Sequence, residues 1–270
     1  MGRHPFSALT VAIAMVSLVL AAAPGDARTA RVPVWQLVFQ EEFSDASYKD
    51  DWQLDGKAEL TLKTEGKAGY LEIATKKRSV LWLKRHFGGD IRVVFRARGQ
   101  TKNRSIFYFN ARPTPDSGFK TVFDWPRPDA DMKRYAGTNI VELYTVGMLR
   151  DDQDVCNLRY LGGTTAWAYN RPKRNRDGAY DTETIFKPYD SPFRNQPDTW
   201  FEFDVQVIGE QILMVVNHVT VIDLVDPGRT PQGKSTWKPL VSGGWIGFRN
   251  FRPKTVCLDY VRVYRRVTTP

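Results

Sequence analysis

The stretch Thr138–Gly163, TNIVELYTVGMLRDDQDVCNLRYLGG, carries the strongest structural signal in the chain. Apolar and polar residues alternate on both sides of its acidic centre, which predicts two short strands joined by a turn. Successive side chains of a strand point to opposite faces, so Val141 and Leu143 share a face that we predict to be buried. The polar residues predicted on the outward face are Glu142, Tyr144, Asn157 and Arg159. Such a face suits sugar binding, and an ordinary solvated sheet face is the alternative.

Strand signals recur along the rest of the chain, whereas helical periodicity is nearly absent. Glycine, proline and asparagine separate these strands at short intervals, a pattern typical of antiparallel sandwiches and jelly rolls. We therefore predict an all-β fold, either an antiparallel two-sheet sandwich or a jelly roll. The predicted strands are Trp35–Phe39, Leu60–Leu62, Tyr70–Ile73, Val80–Lys84, Ile91–Ala97, Ser105–Asn110, Asn139–Val146, Asn157–Leu161, Thr165–Tyr169, Trp200–Val207, Gln211–Asn217, Val219–Leu224, Trp245–Asn250 and Val256–Tyr264.

The orientation of one strand can be predicted directly. In the segment after Asp90, the apolar and basic residues alternate, so they should occupy opposite faces of the sheet. We expect the apolar set to face the core and the basic set to face solvent. The apolar set is Ile91, Val93 and Phe95, and the basic set is Arg92, Arg96 and Arg98.

Two long connections interrupt the succession of strands, Pro113–Arg134 and Asn170–Pro197. Connections of this length inside a compact domain are usually functional loops or disordered segments. Both contain several aromatic residues, which argues against disorder. We expect both loops to pack at the rim of one sheet face.

Residues 1–27 predict a secretory signal peptide. A short basic start is followed by an apolar run from Leu9 to Ala23, and Pro24–Ala27 suits a cleavage site. The run is shorter than the roughly 20 residues that a membrane-spanning helix needs, so we expect no stable membrane insertion. We predict a single domain over residues 28–270 and a secreted or periplasmic location.

The chain carries a formal net charge of +9 at pH 7. In an exported protein this charge favours an anionic partner, and acidic polysaccharide is the partner we expect. General solubility is the alternative explanation of the charge. The basic run Arg171–Arg176 lacks the framework of a nucleic-acid-binding module, so no nucleic-acid partner is expected.

The two cysteines, Cys156 and Cys257, each lie inside an apolar strand pattern. Export permits a disulfide between them, because secretory compartments are oxidising. Buried free thiols are equally compatible with the pattern. Spacing along the chain does not decide between the two.

Three segments resemble the concanavalin A-like lectin/glucanase superfamily: LVFQEEFSD near the start, the hairpin MVVNHVTVIDLVD, and GGWIGFRNFRPKTVCLDYVRVYRR at the end. The resemblance implies a jelly roll in which the first strand pairs with the last. Within that superfamily, YAGTNIVELYTVGMLR, CNLRYLGG and GFRNF resemble a bacterial family of unassigned activity. That family occurs among genes for the breakdown of pectin and other polysaccharides, which implies a carbohydrate context.

The chain departs from the superfamily at the position where its glucanases carry their catalytic acids. Those enzymes place two or three carboxylates on alternate residues of one strand, in an ExDxxE-like pattern. The corresponding strand here, Val141–Val146, contains only Glu142. Retaining hydrolysis needs two carboxylates roughly 5–5.5 Å apart, so that mechanism is not expected here.

The first functional hypothesis is a polysaccharide lyase that acts on uronic-acid-containing glycans by β-elimination. This reaction needs a cation or amide to neutralise the uronate carboxylate, and groups that move protons. The predicted catalytic residues are Tyr144, for proton transfer, Glu142 and Arg159. Arg159 or Arg112, with Asn110 or Asn157, would neutralise the carboxylate. The predicted substrate-binding residues are Tyr108, Asn110, Arg112, Trp125, Arg134, Asn157, Trp167, Tyr169 and Arg171.

The second hypothesis is a glycoside hydrolase that gathers its carboxylates from separate elements. Glu142 would supply one, and a residue of the first long loop, Asp124, Asp129 or Asp131, would supply the other. An inverting enzyme uses such a pair at roughly 6.5–9.5 Å.

The third hypothesis is a lectin or carbohydrate-binding module without catalysis. Trp125, Trp167, Tyr169 and Trp245 would offer stacking faces to sugar rings, and arginines would select acidic sugars. No cofactor is expected. A structural calcium ion near the chain ends is compatible with the superfamily resemblance, with Glu41, Asp45 or Asp259 as ligands.

Overall fold

The structure is a computed structural model of the chain. It describes residues 34–99, 105–124, 140–149, 158–162, 165–169, 197–226, 228, 238–251 and 254–267, with the backbone alone at 162, 165–169 and 251. The chain divides into two units, Met1–Val32 and Pro33–Pro270, and every described residue belongs to the second.

The second unit consists almost entirely of strands, which confirms the predicted all-β class. Apart from the strands, the described residues form one short α-helix and one 3₁₀ turn. The strands are β1 (Val34–Glu41), β2 (Trp52–Glu65), β3 (Ala68–Leu83), β4 (Phe87–Gly88), β5 (Ile91–Gly99), β6 (Ser105–Pro113), β7 (Val141–Met148), β8 (Leu158–Gly162), β9 (Thr165–Tyr169), β10 (Phe201–Ile208), β11 (Gln211–Val216), β12 (Val219–Val225), β13 (Gly243–Phe251) and β14 (Lys254–Val267); the helix α1 is Tyr48–Asp51 and the 3₁₀ turn is Pro115–Ser117.

All pairings between strands are antiparallel. The strands follow the order β12-β11-β10-β5-β14-β3-β13-β6-β7-β8-β9, with β1 on β14, β2 on β3 and β4 on β13. The first strand therefore pairs with the last, as the superfamily resemblance implies. The segments predicted as Tyr70–Ile73 and Val80–Lys84 belong to one long strand, β3.

The sheet folds back on itself around one main core, which makes it a jelly-roll sandwich. Phe95 of β5 lies 4.8 Å from Phe107 of β6 and 5.0 Å from Phe248 of β13, measured between ring centroids. Neither β6 nor β13 pairs with β5, so these contacts cross the interior between two layers. Aromatic burial of this extent supplies a large share of the stabilising free energy.

The outer face of β5 is charged, as its alternation predicts. Ile91, Val93 and Phe95 lie in the core. Each outward arginine of β5 is neutralised by an acid: Arg92 pairs with Asp204, Arg96 with Asp259 and Arg98 with Glu65.

A second apolar cluster lies on the face of β6, β7 and β13 that points away from the main core. It is formed by Val80, Trp82, Tyr108, Ala111, Val122, Val141, Leu143 and Trp245. Part of the first long loop packs against it through Phe119 and Phe123. Both faces of this layer therefore carry buried apolar groups, and this determines where polar site residues can lie.

Cys257 carries a free, buried thiol, and burial raises its pKa. Cys156 lies outside the described residues. Among the described residues, no helix has the length and apolar character needed to cross a membrane.

Candidate functional site

Strand β7 alternates as predicted, and Val141 and Leu143 are buried as expected, but the face that carries Tyr144 is buried as well. Val141 and Leu143 belong to the second cluster, whereas Tyr144 belongs to the main core. The prediction that Glu142 and Tyr144 face outward is therefore wrong. Alternation establishes which residues share a face, and it does not identify the face that meets solvent when both faces are covered.

Tyr144 ties β7 to the connection between β12 and β13. Its side chain is only 1% exposed. Its hydroxyl donates a hydrogen bond to the Asp226 carboxylate and accepts one from the backbone N–H of Leu240 at 3.0 Å. Burial and the neighbouring Asp226 carboxylate raise the pKa of Tyr144 far above its ordinary value. These contacts give Tyr144 a structural role inside the fold.

Glu142 lies at the margin of the same interior face. Its two carboxylate oxygens are 3.4 Å from Nε of Arg112 and 2.8 Å from the hydroxyl of Tyr160, which donates to it. Arg112 also donates to Ser242 Oγ at 2.5 Å. Burial, and then Glu142, raise the pKa of Tyr160. Glu142 is thus held by Arg112 and Tyr160, and Arg159 lies on the opposite face of β8 from Tyr160.

Asn110 was predicted to contact sugar, but it is buried inside the fold. It occupies a bulge in β6 with a backbone φ of 48°, a conformation that asparagine tolerates better than most residues. Its side-chain amide donates to the carbonyl of Leu240 at 2.5 Å. Asn110 and Tyr144 therefore hold the same backbone segment from two strands.

The opposite face of the layer carries a different row of side chains, which runs across five strands. Cross-strand pairing aligns Trp82 with Gly247, Gly247 with Tyr108, Tyr108 with Thr145, and Thr145 with Arg159. Paired residues of antiparallel strands project from the same face, so these five form one continuous strip, called here the site row. Thr145 is buried, and Arg159 at the β8 end is half-buried.

Tyr108 and Arg249 form the polar centre of this face. Nη1 of Arg249 donates to the Tyr108 hydroxyl at 2.6 Å. Tyr108 is 2% exposed and Arg249 is 7% exposed. Burial raises the pKa of Tyr108, and the positive charges of Arg249 and Arg159 oppose that rise. The phenol therefore keeps its proton at neutral pH, and two guanidinium groups can stabilise the phenolate once the proton has left.

The sequence of β13, GGWIGFRNF, explains how the site row is built. Ile246 and Phe248 point into the main core, so Trp245, Gly247 and Arg249 point to the other face. A Cβ atom at Gly247 would lie 2.6 Å from Cε3 of Trp82. Only glycine therefore leaves room for the Trp82 ring, which in turn lies 5.6 Å from the Tyr108 ring.

The other end of this face is apolar. Trp245 lies 4.6 Å from the His86 ring and 6.3 Å from the Phe123 ring, between centroids. Asp124, a predicted partner of Glu142, accepts hydrogen bonds from the backbone N–H groups of Lys120 and Thr121. These bonds lower its pKa, and they make Asp124 the cap of its own turn.

The remaining predicted residues fall outside what the structure describes. Asn157, Trp125, Arg134, Arg171, Asp129 and Asp131 lie outside the described residues, and for Trp167 and Tyr169 only the backbone of β9 is described. Arg249 and Trp82 were not predicted as site residues. The sequence signal that could have identified Arg249 is its position in an otherwise apolar strand, between Phe248 and Phe251.

The described residues contain no group of three or more histidine, cysteine, aspartate or glutamate side chains that could hold a metal ion. The three acids considered for calcium are engaged separately. Glu41 accepts from the backbone N–H of Phe43, Asp45 accepts from that of Ser47, and Asp259 pairs with Arg96.

Solved structures share this fold at low sequence identity. A Bacillus subtilis protein of unknown function with a galectin-like fold has a TM-score of 0.60 at 15% identity, over 87% of this chain and 100% of its own. The kappa-carrageenase of Pseudoalteromonas carrageenovora, in complex with a kappa-carrageenan oligotetrasaccharide, has a TM-score of 0.52 at 13% identity, over 91% and 100%. The laminarinase catalytic domain of Thermotoga petrophila RKU-1 has a TM-score of 0.50 at 13% identity, over 88% and 100%. These likenesses confirm the fold.

No curated protein matches the chain significantly. The model of the 3-keto-alpha-glucoside-1,2-lyase-like domain matches residues 35–259, which include every residue of the site row. The chain therefore belongs to the family of 3-keto-alpha-glucoside-1,2-lyase-like domains, and it is a carbohydrate-active protein with the concanavalin A-like jelly-roll fold.

Proposed function

We propose that the protein is an exported lyase that cleaves a glycosidic bond by β-elimination at the site row. The observation that carries this proposal is the 2.6 Å hydrogen bond from Arg249 to the buried hydroxyl of Tyr108. The arginine-assisted tyrosine that elimination needs is thus Tyr108, in place of Tyr144. The predicted signal peptide supports export.

Elimination requires a C–H bond next to a carbonyl group. In a 3-keto-α-glucoside, the proton leaves C2, beside the C3 ketone. The C1–O bond then breaks, a C1=C2 double bond forms, and the departing oxygen takes up a proton. In a uronate the same events involve the C5 proton, the C4–O bond and a C4=C5 double bond. No water is consumed in either case.

Tyr108 and Arg159 of the site row, together with Arg249 beside it, match the later part of this reaction. Tyr108 is protonated at neutral pH because burial raises its pKa, so it can donate its proton to the departing oxygen. Arg249 then stabilises the phenolate through the existing hydrogen bond. Arg159, on the same face, would bind the carbonyl oxygen on which negative charge develops.

Arg159 marks the more accessible end of this face. Trp82 is fully buried beside Tyr108 and packs against its ring, so it supports the phenol from within the sheet. Exposure is greater at Arg159 than at Tyr108, so we expect substrate to enter from the β8 side.

Two substrate classes fit this chemistry. Family membership favours a 3-keto-α-glucoside, which is the first candidate. The second candidate is an acidic, uronic-acid-containing polysaccharide, because two arginines share the face and the chain has a net charge of +9. Glu142 as a hydrolytic acid has less support, since Arg112 and Tyr160 already hold its carboxylate.

The proposal is tested by incubating the protein with 4-nitrophenyl 3-keto-α-glucoside and, separately, with polygalacturonate. Elimination yields a conjugated double bond, so ultraviolet absorbance should rise in step with released nitrophenol or new reducing ends. Release without that absorbance would indicate hydrolysis. Binding of either compound without any release would indicate a lectin, and both results would overturn the proposal.

A further inference from the structure

A corner of the molecule outside the site row collects positive charge, and it begins with a bulge in β3. The pairing of β2 with β3 jumps from Gly56 opposite Ser79 to Ala58 opposite Thr75. One residue of β2 thus faces the three residues 76–78 of β3. The buried hydroxyls of Thr75 and Ser79 hydrogen-bond to each other at 2.9 Å, which closes the base of the bulge. The residues between them are pushed outward.

Every residue that projects at this bulge is a cation. Lys76 and Lys77 form its exposed tip, Arg78 beside them pairs with Phe251 of β13, and Lys57 is the facing residue of β2. On the other side of β3, β14 begins with Lys254 opposite Thr75. Three strands therefore bring five cations together, a group called here the basic corner.

The charges of the basic corner differ from those of the neighbouring arginines on β5. Lys57, Lys76 and Lys77 are exposed, and Arg78 and Lys254 are half-buried. Within the part of the chain that the structure describes, Lys76, Lys77 and Lys254 form no ion pair, whereas each outward arginine of β5 has an acidic partner. The outward arginines of β5 are thus neutralised within the sheet, whereas Lys76, Lys77 and Lys254 carry charge without an acidic partner among the described residues.

The basic corner adjoins Arg249, on the face of the sheet that carries the site row. Ser79 is followed directly by Val80, which pairs with Arg249. Lys77 precedes Val80 by three positions along β3, a distance of about 10 Å. Tyr108 belongs to the row that crosses β3 at Trp82, two positions beyond Val80, so a single sugar bound there would not reach the corner, whereas a polymer would.

We propose that the basic corner is a second glycan-binding site, which takes a polyanionic polysaccharide chain. Clustered ammonium groups attract such a chain through its repeated carboxylate or sulfate groups, and a chain can follow the ridge formed by the bulge. This binding does not depend on elimination at Tyr108. It would hold the protein on a charged polymer while the site row acts on a sugar.

The test measures binding of the full chain to dextran sulfate and polygalacturonate by affinity electrophoresis, with uncharged dextran as the matched control ligand. The variant Lys76→Ala/Lys77→Ala/Lys254→Ala should weaken binding to the charged polymers by about tenfold. Binding by the unchanged protein should also weaken as salt is raised, because the charges are exposed.

The matched control variant is Lys49→Ala/Lys63→Ala/Lys67→Ala, which removes the same charge from exposed lysines elsewhere. It should bind as the unchanged protein does. Equal weakening in both triple variants would overturn the proposal in favour of net charge alone. No retention on either charged polymer, or retention only on vesicles of anionic lipid, would also overturn it. The variant Tyr108→Phe, expected to be inactive, should keep full binding, which separates this site from the proposed reaction.

Discussion

At the scale of single residues, Tyr108 and Tyr144 show that two tyrosines can have different roles because they lie on different faces of the sheet. They lie on the neighbouring strands β6 and β7 but project from opposite faces. The Tyr144 hydroxyl donates a hydrogen bond to the Asp226 carboxylate inside the fold. Tyr108 instead accepts a hydrogen bond from Arg249, and in the proposed reaction its own proton passes to the departing oxygen.

Tyr108→Phe should lower kcat by at least about a hundredfold, because it removes the proposed proton donor. The free energy of unfolding should fall by about 1–3 kcal/mol, since the buried Arg249 guanidinium loses an acceptor. Steady-state kinetics and urea unfolding measure the two effects. Tyr264→Phe, which changes the outer face of β14, is the control and should leave kcat unchanged. Wild-type turnover in Tyr108→Phe would remove Tyr108 from the mechanism.

At the scale of elements, β13 depends on a glycine to seat Trp82 beside Tyr108. Gly247→Ala places a Cβ against a buried ring, and we expect it to cost about 1–3 kcal/mol of unfolding free energy. Gly88→Ala is the control, because a Cβ at Gly88 meets nothing within 4 Å. Chemical denaturation compares the two.

A double-mutant cycle makes this test specific. In the Trp82→Leu background, the added methyl of Gly247→Ala should cost much less, because the ring that it strikes is absent. Equal costs in both backgrounds would show that the destabilisation arises elsewhere in β13.

The connection between β12 and β13 provides the second prediction at this scale. Tyr144→Phe removes the hydroxyl that meets both Asp226 and Leu240. Loss of a hydrogen-bonding partner by a buried carboxylate costs about 1–3 kcal/mol, so the free energy of unfolding should fall by that amount. Turnover by the folded variant should persist. A stable variant without turnover would return Tyr144 to the catalytic site.

At the scale of the whole molecule, alternation within strands predicted the class, most strands and the faces of β5. It did not predict the faces of β7, because apolar groups cover both sides of that strand. The site itself depends on register between distant segments. Tyr108 and Arg249 are separated by 141 positions in the chain, and only the pairing of β6 with β13 brings them together. Local patterns contain no information about such a contact.

The whole fold should be sensitive to alkali. The pKa values of Tyr48, Tyr108, Tyr144, Tyr160 and Tyr260 are all raised, with burial as the largest cause. In the unfolded chain these phenols lose their protons near pH 10, roughly their ordinary pKa. Above that pH the unfolded state binds fewer protons than the folded state, so the free energy of unfolding falls as pH rises. Urea unfolding between about pH 8 and pH 11 measures this slope, and a flat profile would contradict it.

The central claim is that a glycosidic bond is broken at the site row by elimination, without water. The most direct test is the kinetic isotope effect on kcat/KM for 4-nitrophenyl 3-keto-α-glucoside that carries deuterium at C2. Elimination breaks the C2–H bond, so the deuterated substrate should react distinctly more slowly than the ordinary one. Equal rates for the two substrates, with nitrophenol released from both, would contradict elimination at this carbon.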